Sequence, residues 1–329
     1  MKIYKNLYVL ILTLTAGFVC EKPVFAAQEN SQQLRPRQAA IGAFRSLPAD
    51  VKTFQNLEYA KVGDRKLPLD LYLPEKAEGK LPVIVWIHGG GWMGGTKENC
   101  LAVRTGFVQK GYAVASVEYR LSSEAIFPAQ IEDCKSGVRW LRANADKYNL
   151  DPNHFGAWGD SAGGHLVAML GTTGDIKDFD KGDNLNYSSA VQVVCDYYGP
   201  IDFQSFVTTP GYEKHAGPES AETKLIGGRV LDNPEKAKQV SVTTYISKGD
   251  APTLIVHGDK DPTVPIGQSE MFYNDLKKAG VDVVFHPIEG AKHGSPEFST
   301  PQIISLVDTF FRKHLFEQSS NKDQGKTGK

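Results

Sequence analysis

From about residue 54 onward, apolar residues fall into short dense runs separated by polar, glycine-rich turns. Leu67, Leu69, Leu71 and Leu73 alternate with Pro68, Asp70 and Tyr72, a period of two that predicts an early, half-exposed strand. Pro82 to Ile87 is apolar throughout, as a strand covered on both faces requires. Tyr112 to Val117 repeats that character, and a helix is expected between the two, over 97–110. Pro128 opens a longer helix with Ile131, Val138, Leu141 and Ala145 on one face and Trp140 nearby. Phe155 to Trp158 is a short strand, followed at once by a small-residue turn and a helix from Ala162 to Leu170. Val191 to Tyr198 and Pro252 to His257 read as further buried strands, and 266–279 as a helix ended by Gly280. Val281 to Pro287 is the last strand and Pro301 to Leu315 the last helix.

Strands alternating with helices predict an α/β fold: a mostly parallel, twisted sheet with helices on both faces. Residues 202–250 break the rhythm. They are rich in Gly, Pro, Lys and Glu with short helical patches, and predict a small insertion over the site within a domain spanning 51–316.

Composition narrows this. A chain of 329 residues, 41% hydrophobic, supports one large core. A net charge of −1 offers no basic stripe to nucleic acid. Lys2 and Lys5, the apolar stretch Leu7 to Val19 and Val24-Phe25-Ala26 have the layout of a secretory signal over 1–26. The mature protein is therefore expected to be secreted or periplasmic. No later apolar run reaches the length of a membrane span. Residues 27–50 read as a linker and 317–329 as a disordered tail. Cys20 follows a poor lipobox. Cys100, Cys134 and Cys195 allow at most one bridge and fit no metal-ligand spacing.

Four segments carry chemistry. Gly159-Asp160-Ser161-Ala162-Gly163 lies between a strand and a helix, where a tight turn exposes Ser161 as a candidate nucleophile. Only small neighbours fit such a turn. His88-Gly89-Gly90-Gly91-Trp92 follows a buried strand, and a glycine run lets backbone amides point inward. The amides of Gly90, Gly91 and Ala162 are the candidate oxyanion hole. No Lys-Ser/Thr pair follows the glycines, so they do not read as a phosphate cradle. His257 to Pro265 holds two aspartates; Asp261, past the turn and flanked by Pro262 and Pro265, is favoured over Asp259 as the acid. Among eight histidines, His293 is the candidate base, because it lies in a flexible loop after the last strand. The helix of about 14 residues between them runs back roughly 21 Å. The following strand of about seven residues returns roughly 23 Å. Asp261 and His293 should therefore meet at the sheet edge that Ser161 leaves. Trp92, Tyr119, Phe203 and Tyr212 are candidate pocket residues, able to stack on a sugar or an aromatic acyl group.

These segments resemble the α/β-hydrolase superfamily over about residues 54–315. Trp158 to Leu166, Asp133 to Arg142 and Tyr198 to Phe203 are most similar to the group of bifunctional feruloyl and acetyl-xylan esterases. That resemblance implies ester hydrolysis without a cofactor, catalytic Ser161, Asp261 and His293, and acetyl or feruloyl esters of plant polysaccharide as substrate. Gly159 to Gly164 also resembles hormone-sensitive-lipase-like esterases, though the acid motif departs from theirs. A general carboxylesterase, a prolyl-oligopeptidase-like peptidase and an inactive binding scaffold are the alternative readings. The short stretch before the first strands argues against the peptidase, and a complete set of three residues against the scaffold.

Overall fold

The computed structural model describes residues 50–316. The segments expected to be a signal, a linker up to residue 49 and a tail from 317 lie outside the described residues.

The chain order is β1 (Val51–Val62), β2 (Arg65–Pro74), β3 (Leu81–Ile87), α1 (Leu101–Arg104), β4 (Ala113–Val117), α2 (Ala129–Ala143), β5 (Leu150–Asp160) and α3 (Ala162–Thr172). Then come β6 (Val193–Tyr197), the short helices α4 (Phe203–Thr208), α5 (Ala221–Ile226) and α6 (Pro234–Val240), β7 (Thr253–Gly258), α7 (Gly267–Ala279), β8 (Val283–Ile288) and α8 (Pro301–Leu315). The strands form one sheet in the order β1-β2-β4-β3-β5-β6-β7-β8. β2 runs antiparallel to β1 and β4, and the six strands from β4 to β8 are mutually parallel.

The fully apolar β3 shows why the sheet is covered twice. Val83, Val85 and Ile87 enter one core with Ile131 and Val138 of α2, Leu166 and Leu170 of α3, and Phe272 and Leu276 of α7. Ile84 and Trp86 enter a second core with Ala102 and Val103 of α1 and Val307, Phe310 and Phe311 of α8. The predicted α/β architecture, with helices on both faces, is thus observed.

Three expectations change. The strand at Leu67–Leu73 is covered rather than half-exposed: Asp70 and Tyr72 are buried on the second face. A buried ion pair of Asp70 with Lys97, 3.0 Å, makes that polar position tolerable. The helix over 97–110 shrinks to α1, because Gly106 takes a φ of +80° and turns the chain away. β1 lies where residues 51–62 carry no clean alternation; it pairs with β2 through two register shifts. The cysteines Cys100, Cys134 and Cys195 are all free and buried. Among the described residues, no helix is long and apolar enough to cross a membrane.

Candidate active site

The carboxyl ends of β3, β5, β6, β7 and β8 lie along one edge because these strands are parallel. The loops leaving that edge build the site.

β5 ends at Asp160 and α3 begins at Ala162, so Ser161 alone makes the turn, with φ 54° and ψ −118°. A non-glycine residue held there stores about 1–3 kcal/mol of strain. The Ser161 amide donates to the Tyr197 carbonyl at 2.8 Å, and the His165 amide donates to the Ser161 carbonyl at 3.0 Å. A Cβ on Gly163 would lie 2.1 Å from the Ile87 carbonyl oxygen, and one on Gly159 would lie 2.4 Å from the Gly163 carbonyl oxygen. Both contacts are with backbone, so glycine is required at each. Asp160 Oδ1 accepts the Gly89 amide at 2.9 Å and ties this turn to the glycine loop.

His293 joins the other two candidates. Its Nδ1 lies 2.6 Å from Asp261 Oδ2 and its Nε2 lies 2.8 Å from Ser161 Oγ. A carboxylate accepts, so Nδ1 carries the proton and Nε2 is free to accept from the serine hydroxyl. Asp261 Oδ1 accepts the amides of Thr263 at 2.7 Å and Val264 at 3.0 Å. Burial alone would raise the Asp261 pKa; the bonds from His257 and His293 overcome it and hold the carboxyl well below the usual carboxylate range.

His257 opens the acid motif, and its role was not assigned from the sequence. Its Nε2 reaches the Val264 carbonyl at 3.0 Å and lies 3.3 Å from Asp261 Oδ2, while Nδ1 meets Ser269 Oγ at 2.7 Å. A carbonyl only accepts, so Nε2–H faces both oxygens, and Asp261 Oδ2 is approached by His257 as well as by His293. Asp259, the second aspartate, accepts the Gly290 amide at 2.6 Å and so anchors the His293 loop.

A cavity of about 320 Å³ opens over Ser161 and His293, bordered by Gly90, Gly91, Trp92 and Ala162. Gly90 and Gly91 take φ values of +116° and +60°, which only glycine adopts readily, so the loop can turn its backbone toward the serine. The other three pocket candidates do not border the cavity. Tyr119 is buried beneath the glycine loop, stacked on His88 at 4.5 Å with its hydroxyl donating to the His88 carbonyl at 3.0 Å. Phe203 is buried against Trp92 at 5.5 Å. Tyr212 donates its hydroxyl to the Asp261 carbonyl, so it clasps the acid turn. Instead Tyr198, Phe206, His215 and Glu222 border the cavity. Tyr198 packs its ring 4.6 Å from that of His293.

The family described as BD-FAE matches residues 69–276, well over half of the chain. The chain belongs to the BD-FAE family. The match spans the glycine loop, the serine turn and the Asp261 motif, and bears out the resemblance carried by those motifs. Esterase LipQ of Mycobacterium tuberculosis is 30% identical over 225 residues, covering 68% of this chain and 52% of that protein. Esterase LipC of the same organism is 28% identical over 221 residues, covering 65% of this chain and 53% of that protein. The chain thus spans about half the length of the curated relatives it matches. Among solved structures, a truncated form of a carbohydrate esterase from gut microbiota superposes with a TM-score of 0.72 at 31% identity, over 80% of this chain and 96% of that one. The Thermogutta terrifontis esterase Est2 does so with a TM-score of 0.67 at 26% identity, over 84% and 97%. The BD-FAE chain described here therefore has the α/β-hydrolase fold.

Proposed function

We propose that this protein is an exported serine hydrolase of carboxylic esters, acting through a covalent acyl-enzyme. The observation that carries the reading is the continuous line Asp261–His293–Ser161, at 2.6 Å and 2.8 Å, ending on a strained serine at the floor of a cavity. His293 Nε2 takes the proton of Ser161 Oγ as that oxygen attacks the ester carbonyl. Asp261 holds the imidazole in the required tautomer and stabilises the imidazolium. The carbonyl oxygen becomes an oxyanion, held by the amides of Gly90, Gly91 and Ala162. The alcohol leaves with the proton from His293. Water, deprotonated by the same nitrogen, then releases the acid.

Acetyl or feruloyl esters of plant polysaccharide are the proposed substrates, supported by family membership and by the likeness to a carbohydrate esterase. The motif at residues 1–26 supports export to the periplasm or medium. The cavity volume, at the small end of the range for ligand sites, favours a short acyl group and so also a second reading, a general short-chain carboxylesterase. Rates on acetylated xylan, methyl ferulate and p-nitrophenyl butyrate separate the two. Polysaccharide esterase action requires kcat/KM on acetylated xylan or methyl ferulate to match or exceed that on the synthetic ester. Negligible rates on both leave the general carboxylesterase.

A further inference from the structure

One strained residue bordering the cavity has no part in the hydrolytic steps. Tyr198, buried just past β6, takes a φ of +45°. A bulky side chain rarely adopts that conformation, and the surrounding structure has to enforce it. The Tyr198 amide donates to the Val256 carbonyl on β7 at 3.0 Å, and the next amide, that of Gly199, donates to Asp196 Oδ1 at 2.9 Å. A Cβ on Gly199 would lie 2.5 Å from the His165 amide nitrogen, so the chain turns tightly against α3. The tyrosine ring is thereby set beside the base and the acid. Its centroid is 4.6 Å from that of His293 and 6.2 Å from that of His257, the two imidazoles that approach Asp261 Oδ2. Phe298, five residues beyond His293, meets the same ring edge-on at 4.5 Å, so the chain leaving His293 returns to Tyr198. Burial first, and then the nearby carboxylates of Asp160, Asp261 and Asp196, hold the phenol well above its usual pKa, so the ring stays neutral.

We propose that Tyr198 is a positioning residue whose ring keeps the His293 imidazole aimed at the reacting centre while Ser161 is acylated. The inference rests on the hydrolytic reading of Ser161. In the free enzyme the imidazole meets Asp261 at Nδ1, Ser161 at Nε2 and the Tyr198 ring. Acylation turns Ser161 Oγ into an ester oxygen without a proton, so Nε2 loses its donor. The backbone does not replace it. Gly290 and Gly294, on either side of His293, take φ values of +73° and +63°, and the His293 side chain is 20% exposed. A single hydrogen bond to Asp261 leaves the imidazole free to swing about it; contact with a fixed aromatic ring removes that freedom. The water that releases the acid needs Nε2 in place, so loss of the ring slows deacylation more than acylation.

The test uses p-nitrophenyl acetate and the full chain. Tyr198→Leu should lower kcat roughly 10- to 100-fold, with KM falling in step and kcat/KM staying within about threefold of wild type. A burst of p-nitrophenol should precede the slow turnover. Tyr198→Phe keeps the ring and should restore kcat to within about threefold of wild type. Tyr198→Asn, whose side chain tolerates positive φ, supplies the same readout should the leucine variant fold poorly. An unchanged kcat, a loss shared equally by kcat and kcat/KM, or a phenylalanine variant as slow as the leucine one overturns the proposal. Proton NMR keeps the question separate from turnover. Ser161→Ala deprives Nε2 of the serine hydroxyl, as acylation does. The low-field His293 Nδ1–H resonance, assigned by its absence in His293→Gln, should persist in Ser161→Ala and when Tyr198→Phe is added, and should broaden away when Tyr198→Leu is added. Its persistence with leucine overturns the proposal. That expected NMR pattern in a protein whose wild type turns over no ester sinks the hydrolytic reading and leaves the positioning by Tyr198 standing.

Discussion

The sheet edge and the 202–250 insertion both face one cavity, but they are built under different constraints. At the edge, backbone sits on backbone: Gly159, Gly163 and Gly164 each have a backbone or buried polar atom within 2.4 Å of where a Cβ would go. The insertion is made of helices of six or seven residues joined by 3₁₀ turns, and Gly249 at its end meets nothing within 4 Å. Chemistry shared by many esters can sit on the rigid edge. Selection among esters can be left to an insertion whose side chains, His215, Glu222 and Phe206, supply one wall. A site divided in this way can change its substrate without disturbing its reaction.

The largest expected effect lies on the edge. Ser161→Ala should lower kcat on p-nitrophenyl butyrate by roughly 10⁴-fold or more, because base and acid have no nucleophile to serve. Steady-state rates read this, and a variant keeping half the activity breaks the division. Next comes a paired glycine test. Gly163→Ala should cost about 3 kcal/mol or more in urea unfolding, since its Cβ meets fixed backbone. Gly249→Ala should change stability by less than about 0.5 kcal/mol. Equal costs would mean that the two regions are not constrained differently.

A smaller effect concerns Asp196 on β6, behind the serine turn. Burial pushes its carboxyl up to about 7, against the Gly199 amide that donates to Oδ1 at 2.9 Å. Unfolded, an aspartate titrates near ~3.9. Between these values the folded chain holds a proton that the unfolded chain has lost, so stability falls as pH rises through that window and levels off above it. Asp196→Asn removes this contribution. Its stability relative to wild type should grow by on the order of 2 kcal/mol between pH 4.5 and pH 7.5, read from urea midpoints at both values. A constant difference would contradict a proton held there. The smallest effect is at the turn itself: Ser161→Gly should be about 1 kcal/mol more stable than Ser161→Ala, because glycine relieves the φ of 54°. Calorimetric melting of the pair checks it.

The same division explains what was legible. Buried parallel strands announce themselves as continuous apolar runs, so β3, β4 and β7 could be placed from composition alone, and strained turns announce themselves through small residues. The return of Asp261 and His293 to one edge followed from helix and strand rise, and the distances agree with it. β1 was missed because an edge strand with register shifts has no steady alternation. Tyr119 and Phe203 were read as pocket aromatics because a sequence gives ring chemistry but not direction; both turn inward to support the glycine loop and Trp92. His215 and Glu222 have no motif. Seven residues apart in an irregular segment, they meet only because the short helices fold back.

Covalent trapping tests the central claim most directly. The folded chain, incubated with a fluorophosphonate and then digested, should carry the phosphonyl adduct on the peptide containing Ser161, with one equivalent bound as ester turnover is lost. Folded protein that resists the reagent, or that carries the adduct on another residue while turnover disappears, would contradict Ser161 as the nucleophile.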